Sequence, residues 1–240
     1  MEEKETNAEI LLRTSLQHTT YLSQLFEVAK ELRDEVWIEN FFNHVLDAAL
    51  ETMSDNVMLG PDSFPYVLLK MPAREKEFRP VSVRNFIDWA IEKGVGIVVS
   101  GEEGYPEWVF SFGNLWSYKV FGSFLPKNEH LKKEGKRVLQ QETEVLVGLP
   151  SEAYLPSYVR RAIKQFMKDV LSLQDEPRVA LMYEPEEDIQ SLIFSIFPED
   201  FSDEKQFDSA MRMLQWFLPS NYAITGVSKE ATLAADLKPF

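Results

Sequence analysis

The sequence contains no cysteine, which excludes disulfides, thiolate zinc sites and cysteine nucleophiles together. Histidine is nearly as scarce. His18, His44 and His130 are the only three, and no H-x-x-x-H or H-E-x-x-H spacing joins them. His44 reads as a packed residue on a largely apolar helix, so no metal centre is expected. No apolar run approaches the roughly 20 residues that a bilayer crossing needs. Positive charge is in deficit too: 25 Lys and Arg against 39 Asp and Glu leave a formal net charge of −14. The average field of such a surface repels a polyphosphate backbone or an anionic membrane. The opening MEEKETNAEI is acidic and polar, the opposite of a secretory leader. These deficits predict a cytoplasmic protein that binds neither nucleic acid nor membrane.

What is present points to packed structure. Of 240 residues, 45% are hydrophobic and 12% aromatic, enough for one large domain or two small ones. Asn7–Arg33 and Val36–Met53 carry apolar residues at helical spacing. The chain then changes to short strand-like runs, Asn56–Leu59 and Tyr66–Lys70, around a Gly-Pro-Asp turn. Ser82 is placed to cap a helix bearing Val83, Phe86, Ile87, Ala90 and Ile91 on one face, and Gly94 to end it. Val95–Val99 reads as a strand covered on both faces. Glu107–Phe112 reads as a strand with alternating Trp108, Phe110 and Phe112, and GNLWSYKVFG is the candidate for a short helix.

KNEHLKKEGKR, residues 127–137, has five Lys or Arg, two Glu and almost nothing apolar. It reads as a linker, dividing a helix-led α+β domain over 1–126 from a second domain over 139–228, with 127–138 as the basic connection and 229–240 as a tail. In the second domain, strands over Glu144–Val147, Arg178–Tyr183, Ser191–Phe197 and Tyr222–Val227 alternate with helices over Pro156–Leu171 and 203–218, the last capped by Ser202. The order βαββαβ predicts a ferredoxin-like split βαβ. Both helices would then cover one sheet face, leaving the other to water, a ligand or the first domain.

TEVLVGLPSEAYLPSYVRRAIKQF, residues 143–166, passes from an apolar strand through a glycine into a helix, the order in which many proteins hold a phosphate. Gly148 stands alone, without a GxGxxG or GxxxxGK[ST] pattern, and the residues after it are bulky and acidic. The stretch is a joint between elements. No G-x-S-x-G is present, and Ser111 has no nearby histidine, so triad chemistry is not expected. QSLIFSIF lacks the basic residue and glycine of an RNA-recognition strand.

Three groups remain as candidate surfaces. Tyr105, Trp108, Trp116 and Tyr118 form an aromatic segment suited to interface anchors, with burial in the core as the competing reading. Residues 184–208 hold nine acids and one lysine, with Glu186, Glu187 and Asp188 on a turn and Glu199, Asp200 and Asp203 around a helix start. They lack the spacing of a calcium loop and read as a solvated rim. Arg160, Arg161, Lys164 and Lys168 line one helix and are the candidates for an anion or an acidic peptide.

Two segments, VGIVVS with PEWVFSFGNLW, and VLVGLPSEAYLPSYVRRAI, resemble parts of the bacterial SseB-like family, named for an enhanced-serine-sensitivity phenotype. The order of elements is similar over roughly residues 25–228. The resemblance implies a cytosolic bacterial protein with an N-terminal α/β domain and a smaller C-terminal one, without a catalytic residue set to carry over. The expectation is therefore a two-domain α+β protein, without cofactor or catalytic centre, that acts by contact with another protein, a basic one by its charge. Adaptor, chaperone-like and immunity-type roles all fit. The rival is a ligand-binding protein or enzyme using an interdomain cleft with Arg160 and Arg161.

Overall fold

The structure, a computed structural model, describes residues 6–53, 57–73, 76–126 and 144–240. The predicted linker, His130 and Asn56 lie outside the described residues. The fold is α+β, with six α-helices and two mixed five-stranded sheets among the described residues. The chain divides into two compact units, Met1–Leu115 and Trp116–Phe240.

The first unit opens with α1 (Asn7–Phe26) and α2 (Glu35–Val45). Thr6 and Glu9 start α1 with a capping box, each side chain accepting from the other residue's backbone N–H. The helix expected over residues 7–33 stops at Phe26, and a 3-10 turn over Lys30–Leu32 follows. Arg33 explains the break: its Nε donates to the carbonyl of Val28 at 3.0 Å, satisfying backbone that a continuing helix would have used. α2 also ends early, because Leu50 exchanges backbone hydrogen bonds with Val81 at 2.7 and 2.9 Å. Periodicity alone cannot see either partner.

Strands β1 (Glu51–Thr52) and β2 (Met58–Leu59) both pair antiparallel with β3 (Pro65–Lys70). α3 (Val83–Lys93) then crosses over to β4 (Gly96–Ser100), parallel to β3, and β5 (Pro106–Phe110) closes the sheet antiparallel to β4. Gly94 takes the left-handed conformation, φ 71°, at the end of α3, as expected, while Ser82 occupies the N-cap without a side-chain capping bond. Every residue of β4 is buried. Trp37 and Phe41 of α2 stack at 5.3 Å, and Trp108 of β5 lies 5.2 Å from both Phe41 and Phe42. α4 (Phe112–Phe121) contains the division between the units and starts with a reciprocal pair of Ser111–Asn114 hydrogen bonds.

The second unit runs β6 (Leu146–Gly148), α5 (Ser157–Asp169), β7 (Arg178–Glu184), β8 (Ile189–Phe194), α6 (Glu204–Gln215), β9 (Ala223–Ile224) and β10 (Lys238–Pro239). The order βαββαβ is present, but the pairing corrects the ferredoxin-like expectation. β6, β7, β8 and β9 are neighbours in chain order, and β6 is antiparallel to β7. A split βαβ needs its first two strands parallel with another between them. β6 is three residues long and exposed at both ends, a poor central strand, and it occupies part of the outer side of β7. β10 takes the rest of that side.

Residues 229–240, set apart as a tail from the sequence, thus join the sheet. A further 3-10 turn over Thr232–Asp236 precedes β10. Ala234 and Leu237 pack with Ala180, Met182, Ile193, Phe197 and Val227 in one buried cluster. The sheet face expected to meet water, a ligand or the first domain is met, around Ala180, Met182 and Ile193, by the chain's own C-terminal segment. α6 starts from Asp203, whose carboxylate accepts from Gln206 N–H at 2.9 Å, and not from Ser202.

Candidate functional site: an aromatic cleft beside the acidic hairpin

The loop between β6 and α5 is held from within. Arg160 of α5 donates to the carbonyls of Leu155 and Pro150, both at 2.7 Å. Glu152 accepts from Ser157 N–H at 2.7 Å, which holds its carboxyl below the ordinary carboxylate range. The start of α5, where a phosphate would sit, is therefore served by the chain's own carboxylate. Gly148 has an ordinary backbone, and a Cβ there would meet nothing within 4 Å. No close ligand approach demands that glycine.

This loop carries Tyr154 onto Tyr222, the residue reached after α6 through a turn at Pro219. The rings stack at 4.5 Å, and Tyr222 Oη donates to the Tyr154 carbonyl at 2.9 Å. Burial pushes the Tyr154 phenol up to about 12 and raises that of Tyr222 further. Both phenols are thus neutral groups at physiological pH. Trp116 meets Tyr222 edge-on at 5.3 Å.

Together with Phe121, Asn221, Gln190 and Asp188, the two tyrosines line a cleft of about 550 Å³. Asp188 ends the turn between β7 and β8 in the left-handed region, φ 52°, where Asp is tolerated, and it accepts from Tyr183 Oη at 3.0 Å. Glu186 and Glu187 occupy the same turn, and all three acids are exposed. The cleft thus has an aromatic floor, amide groups and a carboxylate at one edge, next to two further carboxylates.

The sequence-level candidates separate in space. Tyr105 is 68% exposed ahead of β5, and Trp108 is half-buried in the aromatic cluster of the first unit. Trp116 is 1% exposed, which places it in the core rather than on a contact surface, and Tyr118 is half-buried on Phe124 at 4.6 Å. Of the helix cations, Arg160 directs its donors into its own loop, and Lys164 lies over the Phe240 ring at 5.7 Å. Arg161 and Lys168 are exposed. Asp188 alone of the named residues lines the cleft. Phe121, Tyr154 and Tyr222 were missed, because they come from three distant segments and follow no common spacing.

Among the described residues, no group of three or more His, Asp or Glu is arranged to hold a metal ion. No described helix is long and apolar enough to cross a membrane. No family model matches the chain, and neither a curated protein nor a solved structure matches it.

Proposed function

We propose that this chain is a non-enzymatic, cytoplasmic contact protein and that its second unit receives a basic segment of another protein. The observation that carries the reading is the adjacency of Phe121, Tyr154 and Tyr222 in the cleft to the acidic turn at residues 186–188. Aromatic anchors beside charge of one sign are how many interfaces combine affinity with steering. The net charge of −14 acts in the same direction. An adaptor, chaperone-like or immunity-type role would use such a surface. The proposed kinship with the SseB-like family rests on the two quoted segments, which form β4 to the start of α4 and β6 to α5.

A direct test is affinity capture from the native lysate with the wild type, Phe121→Ser and Glu186→Lys/Glu187→Lys. Phe121 is 46% exposed and the two acids are exposed, so the variants leave the core intact. The proposal expects a stoichiometric basic partner held by the wild type and lost by both variants, with unchanged circular dichroism. A partner retained by both variants would overturn the placement.

One observation favours a second reading, a small-ligand site in the same cleft: its volume of about 550 Å³ suits a compact organic molecule. A fragment that shifts the NMR signals of Tyr154 and Tyr222, with no protein captured, would select that reading.

A further inference from the structure

His18 and His44, on separate helices of the first unit, bring their Nδ1 atoms to 2.9 Å. Their ring centroids are 5.1 Å apart, about that distance plus one ring radius on each side. The two rings therefore meet tip to tip, each lone-pair direction pointing at the other nitrogen. A metal ion needs roughly 2.0–2.1 Å from each imidazole nitrogen and finds no room on that line. A proton fits it: one Nδ1 carries hydrogen and the other accepts.

We infer that His18 and His44 form an acid-sensitive latch between α1 and α2, closed by one shared proton and opened by a second. With the pair neutral, the latch is an ordinary N–H···N hydrogen bond. One added proton leaves the shared bond in place and makes it charge-assisted. A further proton puts hydrogen on both facing nitrogens, which abolishes the bond and sets two positive charges against each other. The pair consequently titrates in two separated steps.

The doubly charged state is opposed by burial and by the repulsion of the two rings, and the neighbouring groups offset this only in part. Tyr21 of α1 stacks on His44 at 4.5 Å, a ring face that attracts a cation. Asp47, one turn beyond His44, is engaged by Arg84 of α3 through contacts of 2.6 and 2.8 Å, and its carboxylate also attracts the charge of a protonated His18. Burial, followed by the charge of His18, lowers the affinity of His44 for a proton.

The end of α1 is held by Trp37, whose Nε1 donates to the Leu25 carbonyl at 2.9 Å, and by Arg33, whereas its first half has no buried residue. Only Thr19 and Leu22 of the helix are buried. Thr19 Oγ1 donates to the Ala49 carbonyl at 2.9 Å, and Ala49 N–H donates to the Ser15 carbonyl at 3.3 Å. Ahead of them, Leu11 is 67% exposed. Opening the latch therefore frees the first half of α1 before it disturbs the sheet. The device belongs to the first unit and does not depend on the cleft.

The test uses the full chain with His130→Gln, so that only the pair reports, and follows imidazole nitrogen signals and amide exchange from about pH 8 to 4. The inference expects unlike Nδ1 signals for the two rings at high pH. It also expects two protonation steps separated by at least about one pH unit, consistent with coupled sites. Exchange in residues 10–18 should rise about tenfold or more across the second step, while β4 amides stay protected. His18→Gln should leave His44 titrating in one step without the associated change in exchange. Independent, superimposed titrations of the two rings, or α1 exchange indifferent to the second step, would overturn the latch.

Discussion

Arg33 Nη2 stands 2.7 Å from Glu107 Oε2, with 10% and 13% of the two side chains exposed. The same guanidinium caps the Val28 carbonyl and lies 4.4 Å over the Trp37 ring. One side chain thus ends α1, orients α2 and fastens both to β5. Removing one member of a nearly buried pair leaves the other uncompensated. Arg33→Ala is expected to cost about 3 kcal/mol, and Arg33→Lys to recover only part of that, since an ammonium cannot reproduce the planar fork. Glu107→Gln, which keeps a hydrogen-bond acceptor, should cost about 1–2 kcal/mol. Urea denaturation of the three variants checks this order.

Gly96 and Gly148 look alike in the sequence, each beside an apolar strand. A Cβ at Gly96 would come within 2.5 Å of the Phe110 carbonyl and 2.6 Å of the Tyr66 ring, whereas one at Gly148 meets nothing within 4 Å. Gly96→Ala should therefore lose about 2–3 kcal/mol through overpacking, while Gly148→Ala should lie within about 0.5 kcal/mol of the wild type. Chemical denaturation of the pair decides. A large loss at Gly148 would mean that the joint has a tighter role.

The Arg84 hydrogen bonds hold the Asp47 carboxyl below its ordinary value of 3.8, against an opposing contribution from burial. A lowered folded value means the unfolded chain takes up the proton first. The stabilisation is complete above the unfolded value and disappears as pH falls through the folded one. Both side chains are substantially exposed, 50% and 43%, so solvent screening limits the pair to about 0.5–1 kcal/mol. The stability gap between the wild type and Asp47→Asn should be constant above about pH 5 and close below it. A gap that persists in acid would show that the substitution acts through something other than charge.

Tyr154 gives the corresponding prediction in alkali. Its phenol, raised to about 12 by burial, favours the neutral form in the folded protein. The stabilisation is present below the unfolded value of about 10 and is lost as pH rises through the folded value. Spectrophotometric titration should show Tyr154 and Tyr222 still protonated above the ordinary phenol range of about 10, with their release accompanied by unfolding. In Tyr154→Phe the alkaline transition should lose part of its pH dependence. Ionisation of both buried phenols without unfolding would contradict the packing of the cleft floor.

Several features were readable along the chain because their causes are local. Gly94 ends α3 since an L side chain resists the left-handed conformation. Val95–Val99 announced a fully buried strand by lacking polar residues, and Pro185 with the acids after it announced the turn in EPEEDI, residues 184–189, which the structure narrows to 185–188. The missing cysteines and the charge of −14 needed no structure at all. Each depends on composition or on residues a few places apart.

Tertiary structure decided whatever depends on distant partners. α1 stops at Phe26 because Arg33 finds Glu107, 74 residues away. His18 and His44 meet across 26 residues, and no spacing rule registers such a pair. β10 enters the second sheet beside β7 although Lys238 and Pro239 carry no strand signal of their own. The cleft exists only where Phe121, Tyr154, Asp188 and Tyr222 converge. Helix and strand periodicities are written in neighbouring residues, whereas pairing, burial of charge and the shape of a site arise when separate elements pack, each choosing among partners the local pattern leaves open.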